Sequence, residues 1–291
     1  AFQEYVYGAH PYGHPVSGTP ASLRLIKKKN LIQHYLREYR PNNAILAVVG
    51  KYSPEVAEKV QSTFGAWQGR ESKNAEFSQI QPPNGVQIRL VEKPGLTQTQ
   101  IRMGSIGIKR QNPDFLALRL ANTILGGAFS SRLSDRVRIK LGLTYSIASQ
   151  FEARADFGTF EIETFTKNAS IGQTITETLK VLHEFKAKGV SADEVERTKG
   201  YLKGMFPAAI ETPEKLATNL MLLRLYGIPD TYLTNYLRDI DHLNVAAVNQ
   251  AITKYIDDKN IKILVYSTAE DALPQLTTIG QVEERKASEG L

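Results

Sequence analysis

Two stretches of this 291-residue chain follow one pattern. LIQHYLREYRPNNAILAVVG, from Leu31, lies without a gap over VNQAITKYIDDKNIKILVYS, from Val248. Each reads as an amphipathic helix, a polar break containing Asn, and an apolar run of the length of a buried strand. Identities are few; it is the order of element types that repeats, and internal repetition constrains architecture more than any local propensity. The offset is 217 residues. If the later unit starts near Val86, equal units would start the earlier one roughly 130 residues before Ala1. The expectation is one and a half repeats, in a chain that begins inside its first domain.

The element pattern follows from this division. Residues 1–68 are expected to be the closing part of a first domain, 69–85 a linker, 86–270 a complete second domain and 271–291 a tail. Within the first part, residues 1–20 are punctuated by Pro and Gly and read as a loop. A helix is expected over 19–40, where Leu31, Tyr35 and Tyr39 repeat every four residues. The apolar run 44–49 reads as a buried strand, and Ser53-Pro54 opens another helix that ends near Gly65. Residues 69–85 are polar and contain Pro82-Pro83, which suits a linker. Strands are then expected over 86–92, 98–108, 143–153, 157–166 and 261–266. Helices are expected over 113–125, from Ser130 or Ser131 to Gly142, and over 171–188, 192–210, 213–226, 231–239 and 245–256. Several strands followed by several helices argue α+β and not regular βαβ winding.

Composition excludes several classes of function. No run approaches the ~18 consecutive apolar residues of a membrane-spanning helix. Cysteine is absent, which removes disulfides, thiolate metal sites and cysteine catalysis. The net charge is +6, but the excess is spread out and Lys27 to Lys29 is the one basic run, so no nucleic-acid stripe is visible. The opening AFQEYVYGAH has neither the basic region nor the apolar core of a signal peptide, which leaves the compartment open. His10 and His14 are four apart, but Pro11, Gly13 and Pro15 oppose the helix that would bring both to one metal.

The stretch with the most chemistry in it is residues 126–149, GGAFSSRLSDRVRIKLGLTYSIAS. Gly126 and Gly127 suit a helix end, and Ser130 or Ser131 can cap a new helix. Leu133, Val137 and Leu141 form its apolar stripe and Gly142 its stop. Arg138 falls in the last turn and Tyr145 just past the stop. A helix end running into a strand can bring a guanidinium and a phenol to one rim, where forked donors and a short-range hydroxyl could hold a peptide carbonyl. Taken alone, the two residues equally suit a cation at a helix C-terminus and a strand aromatic.

This stretch resembles the second-half signature of the M16 (pitrilysin/insulinase-like) zinc peptidases, closest to the mitochondrial-processing-peptidase-like M16B branch. Leu125, Gly126, Gly127, Ser130, Ser131, Arg132 and Leu133 match its first part, L-G-G-x-x-S-S-R-L. Arg138, Lys140, Gly142, Leu143, Tyr145 and Ser146 match the second, L-R-E-K-x-G-L-x-Y-S. Ile139 stands where the family usually has Glu, and Val137 where it has Leu. His10-Pro11-Tyr12-Gly13 is similar to a first-half loop downstream of the zinc ligands.

The resemblance implies paired homologous α+β domains, each with an antiparallel or mixed sheet and helices packed on one side, the first being incomplete here. It implies zinc in the parent protein, held by an H-x-x-E-H helix and a distant Glu. The sequence holds no H-x-x-E-H; His183-Glu184 is a fragment of it and is expected on a helix surface. No metal ligand and no catalytic residue is therefore expected in this polypeptide, which should be inactive alone. Its implied role is the C-terminal part of a zinc endopeptidase, supplying the substrate-binding wall opposite the zinc through Arg138 and Tyr145. Strand 98–108 and its neighbours could add an extended peptide at a sheet edge. The alternatives are a non-catalytic partner subunit carrying the Arg/Tyr pair, and a structural M16-like subunit without protease activity. The implied partners are a peptide or unfolded protein and a homo- or heterodimeric mate, with no nucleic acid; bacterial periplasm is favoured over cytoplasm.

Overall fold

The computed structural model describes residues 1–69 and 80–287, so residues 70–79 of the expected linker lie outside the described residues. The elements run α1 (Phe2–Tyr7), α2 (Pro20–Leu25), α3 (Lys28–Glu38), α4 (Glu55–Phe64), β1 (Val86–Glu92) and β2 (Gln98–Gly107). Next come α5 (Phe115–Asn122), β3 (Ile147–Ala153), β4 (Gly158–Lys167), α6 (Ile171–Lys188) and α7 (Ala192–Ile210). After these follow α8 (Pro213–Leu225), α9 (Thr231–His242), α10 (Val245–Tyr255), β5 (Ile261–Ser267), α11 (Ala269–Leu276) and β6 (Val282–Lys286). The architecture is α+β. Contacts divide the protein into two compact units. One comprises the described residues within Ala1–Pro15, Gln79–Lys203 and Tyr236–Leu291; the other those within Val16–Ser78 and Gly204–Asn235.

The first unit is built on one mixed sheet, in the order β3-β4-β2-β5-β1-β6. β1 pairs parallel with β5 and β6, and the remaining pairs are antiparallel. Alternation along each strand sends every second side chain to one face. Ile101 and Met103 of β2, Phe160 and Ile162 of β4, and Ile261, Ile263 and Val265 of β5 are fully buried. Burying one such side chain contributes about 1.5–3 kcal/mol. The helical layer covers this face: the Thr174 hydroxyl of α6 donates to Thr166 Oγ1 of β4 at 3.1 Å, and Thr166 has the parity of Phe160. Above β3, α5 packs on α10 through Ala117, Leu118 and Ala251. Residues of the other parity face away. There Arg102 pairs with Glu161 and Glu163, and α1 covers the Thr159 end, where the Tyr7 and Thr159 hydroxyls bond at 2.7 Å.

The second unit carries short helices whose apolar side chains are largely exposed. Thr19 and Ser22 form a capping box that starts α2. No side chain of α3 is buried, and Leu31, Tyr35 and Leu36 are each about 60% exposed.

Several expectations are corrected. Residues 1–20 are no loop throughout: Phe2, Tyr5, Val6 and Tyr7 bury as α1 against Val91 and Leu264 of the sheet, which overrides the Pro/Gly punctuation that follows. The helix expected over 19–40 is interrupted at Ile26, whose extended backbone (φ −74°, ψ 121°) ends α2 before α3 begins. Residues 44–49 form no strand, and Ile45, Leu46 and Val48 are exposed, because no neighbouring strand among the described residues takes up their backbone groups. Strand 143–153 begins only at Ile147, since Gly142 to Ser146 is held as a loop. β2 has β4 on one side and β5 on the other, so a peptide cannot pair with its edge. The expected tail contains α11 and β6, and β6 extends the sheet beside β1.

A cleft at the end of an unusually wide helix

Residues 126–149 hold a helix of unexpected type. Thr123–Gly127 and Ser134–Lys140 are π-helical, with the wider turn of i→i+5 bonding, and the Leu141 amide donates to the Arg136 carbonyl at 3.2 Å. Leu133 and Val137 are fully buried. Gly126 lets the first π turn lie directly on β3: a Cβ there would stand 2.4 Å from Ser149 Oγ and 2.6 Å from Ser149 N. Asn122 fastens the same contact, its amide donating to the Ser149 carbonyl at 2.9 Å and its Oδ1 accepting from the Ser149 hydroxyl at 2.8 Å.

After the second π segment the backbone turns at Gly142, whose φ of +60° suits a residue without Cβ. Threonine hydroxyls then pin the loop to β4. Thr166 Oγ1 donates to the Leu143 carbonyl at 2.7 Å, and Thr164 Oγ1 to the Ser146 carbonyl at 2.9 Å. Thr144 Oγ1 accepts from the Ser146 amide at 3.0 Å. The backbone on both sides of Tyr145 is thereby fixed while its ring stays 81% exposed, with no hydrogen-bond partner for its hydroxyl among the described residues.

The arginines of this stretch fall into two kinds. Arg132 grips both Glu194 oxygens at 2.7 Å and donates to the Gly189 carbonyl at 2.8 Å. That hydrogen-bonded guanidinium holds the Glu194 carboxyl down at about 2, against an ordinary 4.5. Arg136 binds Glu177 at 2.7 and 2.9 Å, and Lys180 reaches the same carboxylate at 2.6 Å, so Glu177 too titrates below its usual range, first through Lys180 and then through Arg136. Arg138 is different. Its guanidinium lies 4.2 Å above the Phe129 ring, and no carboxylate is within ion-pair distance of it among the described residues. The aromatic face orients the cation without neutralising it.

Arg138 and Tyr145 line one cleft of about 320 Å³. Phe129, Ile139, Leu143 and Phe165 form its apolar walls, and Gln98 and Lys167 add polar groups from the adjoining ends of β2 and β4. Phe129, Phe165, Gln98 and Lys167 were not singled out from the sequence. Strand parity could have found Lys167, which shares a face with Phe165; Phe129, 73% exposed between Gly127 and Ser130, was the visible anomaly in its motif. Ile139, where the family pattern has Glu, is 61% exposed.

The residues present do not fit a zinc centre. Among the described residues no group of three or more His, Asp or Glu could hold a metal ion. His183 is on the surface of α6, bonded to Asp258 at 2.6 Å. His10 is buried and its Nδ1 accepts from the Tyr12 amide, which shapes the Pro11–Gly13 turn. No helix among the described residues is long and apolar enough to cross a membrane.

The model of the peptidase M16 inactive domain matches residues 26–202, more than half of the chain. The chain belongs to the M16 peptidase family. Its relatives include a protein of Bacillus subtilis named as an uncharacterized zinc protease, 28% identical over 84% of this chain and 58% of that protein. A protein of Helicobacter pylori named as a non-peptidase homolog is 21% identical over 91% of this chain and 61% of its own length. A peptidase M16 inactive domain from Pseudomonas fluorescens superposes with a TM-score of 0.82 at 28% identity, covering 92% of this chain and 63% of that one. The chain thus spans less than two thirds of the length of these M16 proteins.

Proposed function

We propose that this chain supplies the substrate-binding wall of an M16 zinc endopeptidase, with Arg138 and Tyr145 gripping the backbone of a bound peptide across a chamber from the metal. In this reading residues 16–68 belong to a first domain whose upstream part carries the zinc ligands, α1 packs with the sheet of the second domain, and the second domain runs on through β6. The observation that carries the reading is the contrast among three arginines spaced four and two residues apart. Arg132 and Arg136 are consumed by carboxylates, while Arg138 lines a cleft beside an exposed phenol with its charge unspent. A forked cation and a hydroxyl on a fixed rim are the donors that a peptide carbonyl requires.

A second reading is favoured by one comparison. The Helicobacter pylori relative is named as a non-peptidase homolog, which supports a partner subunit that presents peptide to a zinc-bearing mate. In both readings Arg138 and Tyr145 touch the peptide and not the metal.

The test is kinetic, in the full-length protein and with its mate where one is needed. Arg138→Ala removes a charge-assisted hydrogen bond worth about 1.5–3 kcal/mol, and should lower peptide kcat/KM by roughly ten- to a hundredfold with an unchanged Tm. Arg138→Lys should recover little, because a point charge does not reproduce the fork. Tyr145→Phe should cost the same or less. Wild-type cleavage by Arg138→Ala at an unchanged Tm would sink the assignment. Loss of activity and Tm together would make Arg138 a helix-end cation only.

A further inference from the structure

The cleft holds more positive charge than a peptide carbonyl needs. Besides Arg138 it is lined by Lys167, the last residue of β4, and its lining contains no aspartate or glutamate. Neither cation has an ion-pair partner among the described residues, whereas three neighbouring cations do. Arg132 has Glu194, Arg136 has Glu177 and Lys140 has Asp135 at 2.7 Å. Phe165 lies two residues before Lys167 on the same face of β4, and with Ile139 and Leu143 makes the cleft wall apolar. Two uncompensated cations beside apolar walls attract an anion more strongly than the same cations in open water.

We infer that this cleft selects peptides that carry a carboxylate beside an apolar side chain, and that Lys167 is the residue that reads the carboxylate. The inference rests on the chamber-wall reading. Arg138 holds backbone, Phe129 orients Arg138, the apolar walls take the neighbouring side chain, and Lys167 meets the anion. The carboxylate can be that of an Asp or Glu side chain or that of the peptide's own C-terminus, since both offer the same two oxygens.

Fluorescence anisotropy with this polypeptide at low salt tests it. The probes are Ala-Leu-Phe-Ala-Leu-Phe-Glu and its Gln version, labelled at the N-terminus with an uncharged boron-dipyrromethene dye, each as free acid and as C-terminal amide. The Gln amide, with no carboxylate, should bind about tenfold more weakly than the peptides that have one. Tighter binding of the Glu amide than of the Gln acid would assign the side chain as the source, and the reverse order the C-terminus. Lys167→Gln should collapse the tenfold preference to threefold or less while leaving the Gln amide within twofold. Binding of all four probes alike, or an undiminished preference in Lys167→Gln, overturns the inference and leaves the chamber wall standing. Failure of every probe to bind at millimolar concentration overturns the chamber-wall reading, and this inference with it.

Discussion

The segment from Leu31 and the segment from Val248 carry the same helix, break and apolar run, and they end in different structures. In both, the helix forms: α3 in the first, α10 in the second. In the second, Val248, Ile252, Ile256, Ile261, Ile263 and Val265 are all buried, and β5 lies between β1 and β2. In the first, Leu31, Leu36, Leu46 and Val48 are exposed and residues 44–49 make no strand. A helix closes its hydrogen bonds within itself, whereas a strand is completed only by its neighbours. The paired segments therefore separate what a sequence encodes locally from what it encodes only in company.

The largest expected difference is in amide exchange. Amides of β5 should open only with the whole unit, against a barrier of about 5–15 kcal/mol for an ordinary domain, while those of 44–49 should exchange close to unprotected rates. Equal protection of the two runs, measured by exchange and mass spectrometry on this polypeptide, would break the comparison. Next in size is a matched pair of truncations at aligned positions. Ile263→Ala should cost about 2–5 kcal/mol in urea unfolding, and Leu46→Ala no more than about 0.5 kcal/mol. If a longer protein supplies strands beside 44–49, Leu46→Ala should become as costly there as Ile263→Ala is here, which would sharpen the comparison into a statement about partners.

A smaller effect concerns acid. Glu194 has its folded pKa at about 2, below its ordinary value of 4.5, chiefly because of the Arg132 hydrogen bonds. A depressed carboxyl contributes stability that is fully present above about pH 4.5 and is lost as pH falls towards 2. After allowance for partial exposure, Glu194→Gln should cost about 1–2 kcal/mol at pH 7 and flatten the acid limb of the stability curve. Glu38, half-exposed, is also held below its usual range by the Arg37 hydrogen bond, but solvent screens that pair, and Glu38→Gln should move that curve much less. An identical acid limb in wild type and Glu194→Gln would remove the ion pair from the account.

Legibility followed the same division. The long helices α6 and α7 and the strand β1 read directly from periodicity, because their own side chains carry the pattern. The burial of α1 did not, since Phe2, Tyr5 and Tyr7 are explained only by Val91 and Leu264, far along the sequence. β6 was missed for a related reason: VEERK is polar and exposed, and only its place beside β1 makes it a strand. At the cleft, Arg138 and Tyr145 were legible because a motif surrounds them. Gln98 was not, because the register of β2 against β4 sets it beside Lys167, and register is a tertiary fact.

The widened helix has a consequence for alteration of this protein by insertion or deletion. Each residue of an ordinary α-helix turns the side chain by about 100°. Removing one residue between Arg132 and Arg138 would let Ser134–Lys140 relax to α-helical winding at nearly the same length, so the fold would tolerate it. The guanidinium of Arg138 would keep nearly the same bearing round the axis, because five α-helical steps sweep about the same angle as six of the smaller steps of a π turn. The spare residue behaves like a pleat: it adds little to the length of the rod and leaves its tip pointing where it would point without it.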